Sequence, residues 1–400
     1  MSIIIPIVIA FDNHYAIPAG VSLYSMLACA KTKHHDKKLF YKIHCLVDNL
    51  SLENQQKLKE TLAPFDAFAS VDFLDISDPN NPTTTLAEPS VIDKIHEAFS
   101  QLNIYAKTRF SKMVMCRLFL ASLFPQYDKI IMFDADTLFL NDVSGSFFIP
   151  LDGYYFGAAK DFSSPKNLKH FQTEREREPR QKFSLYEHYL KEAAKDFSSP
   201  KNLKHFQTER EREPRQKFSL YEHYLKEKDI QIICENHYNV GFLIVNLKLW
   251  RMDHLEECLL DLAHQKGQCV FCPEQDLLTL ACYQKVLQLP YIYNTHPFMV
   301  NQKRFIPSQQ EIVMLHFYFV GKPWISPTAL YSKEWHEILL KTPFYAEYSV
   351  KFLKQMTGFL SLQDKQKTFE FLAPLLNPKT LLEYVFFRLK RIFKRLKENF

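Results

Sequence analysis

Residues Lys129 to Thr137 read KIIMFDADT, and this stretch decides how the rest of the chain is read. An apolar, β-prone run that stops at two carboxylates predicts a buried strand delivering acidic groups to the rim of a sheet. In extended backbone, residues two apart point to the same side, so Asp134 and Asp136 can converge on one cation. Carboxylate oxygens suit hard divalent ions, which commonly bridge to phosphates. The segment therefore points to metal-dependent chemistry on a phosphorylated substrate. A D-x-D pair alone is weak evidence, because most such pairs are caps or solvated turns.

Working outward, Ile3 to Ala10 (IIIPIVIA) reads as a buried first strand, and Pro18 to Ala30 suits a helix with Pro near its start. Phe40 to Val47 reads as a second strand. Ser51-Leu-Glu-Asn-Gln opens a polar helix to Leu62, and Ala69 to Ile76 is a third strand. A Pro- and Thr-containing loop follows over Asp78 to Glu88. Lys112 to Leu123 (KMVMCRLFLASL) is expected to be an apolar helix leading into KIIMF. Strands alternating with helices predict an α/β fold, a mostly parallel sheet with helices on both faces. Ligands in such sheets sit at the carboxyl ends of strands, which is where Asp12 and Asp134 fall.

Composition narrows the chemistry. The 400 residues are 46% hydrophobic and 24% charged, as expected of a folded globular chain, with 35 Phe and only 8 Gly. No G-x-G-x-x-G or Walker A sequence occurs, which argues against a standard dinucleotide or P-loop site. The net charge is +5, and Lys379 to Phe400 alone carries seven basic and two acidic residues. The basicity therefore belongs to a tail and not to a nucleic-acid groove. Eight cysteines sit mostly in apolar context. Ile3 to Ala10 is short, with no basic leader, so a reducing cytosol and free thiols are expected. Cys269-x-x-Cys272 has no second pair at zinc spacing and is read as packing cysteines. No run reaches the length of a membrane span.

Two features stand apart. Residues Ala158 to Glu192 and Ala193 to Glu227 are identical, 35 residues each. Two charged copies (TEREREPRQK) read as a lengthened surface arm, since a repeat stack normally needs three units. The arm leaves after an expected strand, Tyr154 to Ala158, and returns before the apolar run Val240 to Asn246. It is either a solvated excursion without catalytic role or a lid over an acceptor. In the tail, Leu382, Val385, Phe386, Leu389, Phe393 and Leu396 share one helical face, while Arg388, Arg391, Lys394 and Arg395 crowd the other. A basic amphipathic helix with aromatic anchors suits an anionic membrane surface. The alternative is a helix packed on the domain. The organisation expected is a catalytic domain over 1–342, interrupted by the duplication at 158–227, and a helical region over 343–400.

Four further segments join the Asp pair: AFDNHYA at Ala10 to Ala16, NHYNVGFLIVNLKLWR at Asn236 to Arg251, PEQDL at Pro273 to Leu277, and LHFYFVGKPW at Leu315 to Trp324. In this order they resemble the retaining glycosyltransferases of family 8, especially the bacterial lipopolysaccharide galactosyl- and glucosyltransferases. The resemblance covers Ile3 to Trp324. It implies a GT-A (Rossmann-like) fold, a UDP-sugar donor, Mn²⁺ with Mg²⁺ as the alternative ion, and retention of the α-anomeric configuration. By resemblance, Asp134, Asp136 and His316 are metal ligands, a mixed shell that manganese tolerates better than magnesium. Lys322 matches a lysine that contacts the donor diphosphate. Asp12 and Tyr15 match residues that hold uracil, although Asn13 stands where the family commonly has an acid. Arg117 matches an arginine facing the donor sugar, Asp161 an aspartate on sugar hydroxyls, and Asn239 an asparagine at the sugar pocket. The duplicate Asp196 lacks the preceding strand and takes no role. Glu274, Gln275 and Asp276 match an acidic-Gln-Asp stretch near the anomeric carbon. Glu274 would contact the donor, with Gln275 and Asp276 at the reaction centre. The tail resembles basic, aromatic C-termini that attach family members to membranes. The implied setting is the cytoplasmic face of the inner membrane, with a lipopolysaccharide or oligosaccharide acceptor and no nucleic acid.

Retention demands either a covalent sugar intermediate or front-face attack. Gln275 is a poor nucleophile and Asp276 could be structural, so front-face attack is favoured, with the β-phosphate oxygen accepting the acceptor's proton. Two other readings stay open. DADTL also satisfies the D-x-D-x-[TV] pattern of haloacid-dehalogenase-like phosphatases, in which Asp134 would attack phosphorus and Asp136 would be the general acid. The chain could also bind UDP-sugars at a membrane without turning them over.

Overall fold

The computed structural model describes residues 2–77, 89–161, 225–300, 308–318, 321–326 and 329–352. The chain divides into a compact unit, Met1–Phe344, and a second unit, Tyr345–Phe400, described only over the helical residues 345–352. The 78–88 loop, nearly all of the duplicated arm and the amphipathic tail lie outside the described residues.

The first unit is built on one sheet. Its strands are β1 (Ile3–Asp12), β2 (Lys33–His34), β3 (Lys37–Asp48), β4 (Ala69–Asp75), β5 (Lys129–Asp134), β7 (Phe156–Lys160), β8 (Tyr238–Asn246) and β9 (Val286–Leu289). The spatial order is β4-β3-β1-β5-β8-β7-β9, with β2 hairpinned onto β3. A separate two-stranded sheet pairs β6 (Thr137–Phe139) with β10 (Met314–His316). The fold is α/β with a parallel-rich sheet, as the alternation of patterns predicts. The strand β8 departs from it, running antiparallel to both β5 and β7.

That reversal assembles the site. Strands β1, β3 and β5 are parallel and end together, with Asp12 beside Asp48 and Ala10 beside Asp134. Because β8 runs the other way, its first residues, Tyr238 to Gly241, lie at the same rim. The end of β7 returns to that rim too, with Lys160 opposite Tyr238. Carboxyl ends of parallel strands and the amino end of an antiparallel one thus share one edge.

The strands hold their places because both sheet faces are buried. Val8, Met132, Leu243 and Val245 join a core with Val91, Ile95, Leu259, Leu277 and Trp250 from helices on one side. Their alternates Ile7, Ile9, Ile131, Phe133, Phe242 and Ile244 are buried as well. Helix α1 (Ala16–Cys29) is almost wholly buried, whereas α2 (Leu52–Leu62) buries only Leu58, Thr61 and Leu62. The Ser51 hydroxyl caps α2 by accepting from the Asn54 amide.

Several elements differ from the sequence reading. Lys112 to Leu123 is not one apolar helix but a 3₁₀ helix, Lys112–Leu118, followed by a single turn, Leu120–Leu123. Met113, Met115, Cys116, Arg117 and Leu118 are all buried, so no solvent face selects a 3.6-residue period. The Glu256 carboxylate accepts from the Ala121 and Ser122 amides and stabilises the break. Helices Pro89–Ser100 and Ile104–Arg109 have no counterpart in that reading. The strand expected over Tyr154 to Ala158 begins at Phe156 and ends at Lys160.

Candidate active site

The DAD segment turns between β5 and β6. Asp134 closes β5. The Thr137 hydroxyl bonds back to the Asp134 carbonyl at 2.9 Å and lies 2.6 Å from Ser22 Oγ on α1, which ties the turn down. His316 pairs in register with Thr137, and the Phe317 amide donates to the Asp136 carbonyl. The small sheet therefore sets His316 one residue from Asp136, across 180 residues of chain. His316 Nε2 lies 3.4 Å from Asp134 Oδ2 and 3.2 Å from Asp136 Oδ1. One ligand atom from each of the three side chains lies within 4.8 Å of the others, the one such group among the described residues. Two carboxylates and an imidazole are a donor set that fits a divalent ion of the manganese type.

Cations flank the acids. The Arg117 guanidinium pairs with Asp134, and Lys322 Nζ sits 2.6 Å from Asp136 Oδ2 and 3.1 Å from the Tyr15 hydroxyl. The ammonium also lies over the Tyr15 and Trp324 rings, at 5.4 and 5.1 Å from their centroids. Burial works against both charges of the Lys322–Asp136 pair, yet their mutual attraction wins. Lys322 and His316 hold the Asp136 carboxyl well below the usual range, and Asp136 and Tyr15 hold the Lys322 ammonium above its usual range.

A second cluster continues from the first. Glu274, Gln275 and Asp276 form the first turn of the buried helix Pro273–Cys282. Burial pushes the Glu274 carboxyl up, opposed by Arg117. Glu274 Oε2 and Arg117 Nε are buried with no hydrogen-bond partner among the described residues. Gln275 Nε2 donates to Asp161 Oδ2 at 2.8 Å and lies 3.0 Å from His237 Nε2. Asp276 is fully buried. Its Oδ2 accepts from the Phe271 and Cys272 amides at 2.8 and 2.9 Å, and its Oδ1 lies 2.9 Å from His237 Nε2. Asp276 is thus bonded into the loop that starts its helix, and it reaches Gln275 and Asp161 through His237.

The remaining residues have defined places. Asp12 Oδ1 accepts from the His14 and Tyr15 amides, turning the chain so that Tyr15 meets Lys322. Asn13 Oδ1 is engaged with the Ser51 amide and Asn54 at the mouth of α2. Asp161 is fixed by the backbone, its amide donating to the His237 carbonyl just past the ladder. Asn239 Oδ1 accepts from the Gly241 amide and from Asn294 Nδ2.

The sequence reading missed three participants: His237, Asn294 and Gly241. The first and last lie inside the quoted NHYNVGF segment, where a His two residues before Asn239 was available as a signal. Asn294 sits in YIYNTHP, with no local pattern to mark it. Cys269 and Cys272 form no disulfide with each other and pack half-buried beside Leu225, Ile233 and Phe271.

The family model for glycosyl transferase family 8 matches residues 6–328. The chain belongs to this family. Membership places it among the family 8 glycosyltransferases and sets aside the phosphatase reading of DADTL. Among solved structures, the chain is similar to the bifunctional glycosyltransferase WbbM in its apo form, with TM-score 0.59 and 19% identity over 87% of this chain. It spans about half of that protein, 52%. It is also similar to the galactosyltransferase LgtC in complex with donor and acceptor sugar analogs, with TM-score 0.53, 17% identity, and 85% and 96% of the two chains covered. At these identities the likeness establishes the shared GT-A fold. Comparison with curated proteins gives no match. No helix of the described residues is long and apolar enough to cross a membrane.

Proposed function

We propose that the chain is a retaining hexosyltransferase that moves glucose or galactose from a UDP-sugar to a lipopolysaccharide-core acceptor. The observation that carries this reading is the convergence of Asp134, Asp136 and His316 with Lys322 at one sheet rim. A Mn²⁺ or Mg²⁺ ion held by these three side chains would supply a Lewis acid that offsets the charge of a departing diphosphate. LgtC, whose fold this chain shares, was solved with donor and acceptor sugar analogs, which supports a sugar donor and a sugar acceptor here.

The chain's own groups take the rest. Lys322, kept protonated by Asp136, presents a fixed cation to the diphosphate. Tyr15, beside it, offers a ring for uracil, with Asp12 one turn away. Arg117 Nε and Glu274 Oε2 are buried with no hydrogen-bond partner among the described residues, so sugar hydroxyls that bond to them recover a penalty the fold already carries. Asp161, Asn239 and Gln275 complete the polar wall of the sugar pocket. Asp276 keeps both oxygens on the protein, which supports front-face attack over a covalent intermediate at that residue. The acceptor's proton then passes to the leaving phosphate oxygen, and the site contributes positioning. The tail's basic amphipathic pattern supports peripheral attachment to the cytoplasmic face of the inner membrane.

The test is a donor screen with UDP-glucose, UDP-galactose and their N-acetylated analogues plus Mn²⁺, read as UDP release. Asp134→Asn and Asp136→Asn should each lower the rate by at least about 10²-fold, the upper range for weakened metal sites, with the circular dichroism spectrum unchanged. Undiminished transfer in either variant would remove the assigned role. UDP binding with neither transfer nor hydrolysis would favour the non-catalytic alternative.

A further inference from the structure

A neutral imidazole can bind a cation through only one ring nitrogen, the one without a proton. Which nitrogen of His316 is free can be read outward from the backbone. The Gly241 N–H is a donor and nothing else, and it points at Asn239 Oδ1 at 3.0 Å. That atom of Asn239 is therefore the amide oxygen. Asn294 must then present its NH₂ to it, which it does at 2.7 Å, with the Asn239 carbonyl 3.3 Å from the same nitrogen. The other amide atom of Asn294 is consequently its oxygen, and it lies 2.9 Å from His316 Nδ1. An oxygen acceptor there requires a proton on Nδ1. The Nε2 atom is left facing Asp134 and Asp136.

The chain of bonds is well sheltered. Asn239, Asn294 and His316 are 8%, 3% and 3% exposed. Each side chain's orientation follows from the one before it, so swapping any amide end for end would place like against like. The glycine is also needed for space. A Cβ at position 241 would lie 2.1 Å from His316 Cε1 and 2.4 Å from Nδ1.

We propose that Asn294 is a positioning residue that fixes His316 as its Nδ1–H tautomer, with β8 dictating the orientation of Asn294 through Gly241 and Asn239. The third cation ligand is thereby preset by the backbone of a sheet strand before any ion arrives. Partners of this kind orient metal-binding histidines and raise their basicity. The inference rests on the metal-site reading of Asp134, Asp136 and His316.

The test uses the full-length chain with saturating UDP, titrated with Mn²⁺ and followed by the electron paramagnetic resonance signal of free ion. Asn294→Leu removes the acceptor at similar volume and should weaken Mn²⁺ binding by about 10–100-fold. Asn294→Asp keeps an oxygen for Nδ1–H and should bind more tightly than Asn294→Leu. In a His316→Ala background the Asn294→Leu substitution should have almost no further effect, because its influence travels through the imidazole. A purely structural role would instead weaken binding equally in both backgrounds. Wild-type affinity in Asn294→Leu, or an undiminished loss in the His316→Ala background, overturns the proposal. A wild-type chain that takes up no Mn²⁺ overturns the metal-site reading itself, and this inference with it.

Discussion

Adding one methyl group at Gly241 should disable the site while leaving the fold in place. Gly241 lies in β8, and its absent side chain is the space that the His316 ring occupies. Carbon atoms in contact sit about 3.5 Å apart, whereas the Cβ of Gly241→Ala would start 2.1 Å from His316 Cε1. One partner must therefore retreat by about 1.4 Å. The β8 backbone cannot do so cheaply, because Phe242 and its successors are paired with β5. The ring must move, and rotating it breaks the bond to Asn294 and carries Nε2 away from the two aspartates. Overpacking of this size costs about 1–3 kcal/mol of stability. Misplacing a catalytic group by about 1 Å costs about 10²-fold in rate. The expected result is a folded variant with a modestly lowered melting temperature, a kcat/KM for transfer reduced on the order of 10²-fold, and weakened Mn²⁺ binding. Gly145→Ala, where nothing lies within 4 Å of the new methyl, is the control and should behave as wild type. Wild-type Mn²⁺ affinity and transfer rate in Gly241→Ala would refute the argument, since they would mean that the ring position carries no function.

Two further outcomes follow from buried polar groups. Asp276→Ala leaves the Phe271 and Cys272 amides and His237 without their shared acceptor, and should destabilise the fold by about 3–5 kcal/mol, read as a lower melting temperature. Asp276→Asn keeps one oxygen for those amides and should retain both more stability and measurable transfer, whereas a lost nucleophile would abolish transfer with stability unchanged. His44, 3% exposed, has its pKa pushed down by burial from 6.5 to about 4. Its folded pKa lies below the unfolded one, so the unfolded chain takes up the proton first, and stability falls as pH drops from about 6.5 to about 4 by up to about 3 kcal/mol. The His44→Phe variant should show less of this acid loss in thermal melts, and an identical pH profile would count against it.

The legible parts of this fold are those whose signal is local. Ile5 to Ile9 and KIIMF are apolar enough to be buried on both faces, and Ser51 three residues before Asn54 marks a helix start. The D-x-D pair and His316 became readable as one site only because five motifs occur in order, since nothing local says that Leu315–His316 pairs beside Thr137. What could not be read has the same cause in each case. The antiparallel course of β8 is decided by its neighbours β5 and β7, and its wholly buried apolar run fits either direction. Arg117 sits in a segment that looks helical, but burial on every side forms it as a 3₁₀ helix. Asn294 gains its role from two side chains distant in sequence. Asp161 shows the limit most plainly. The sequence AAKD occurs at both 158–161 and 193–196, yet only the first copy follows the strand whose end places an amide against His237.

The charges of the site imply that ion and nucleotide bind together. Asp134 and Asp136 contribute two negative charges and Arg117 and Lys322 two positive ones, so the group is balanced as it stands. Burial raises the pKa of the Glu274 carboxyl, and Arg117 opposes that rise. A divalent ion entering alone must compete with Lys322 for Asp136 and with Arg117 for Asp134. It also leaves a double positive excess in a half-desolvated rim, which is costly without compensation. A nucleoside diphosphate supplies that compensation through its paired negative charges and gives Lys322 a new partner. Mn²⁺ affinity should therefore rise with UDP present, by about 5–150-fold if the coupling has the usual size of about 1–3 kcal/mol, and UDP affinity should rise with Mn²⁺ by the same factor. Lys322→Ala sharpens the argument. It frees Asp136 and removes one positive charge, so Mn²⁺ alone should bind more tightly than to wild type, while the gain from UDP shrinks. Calorimetric titrations of each ligand with and without the other would decide the matter. Equal Mn²⁺ affinity with and without UDP would show that the four charges do not act as a unit.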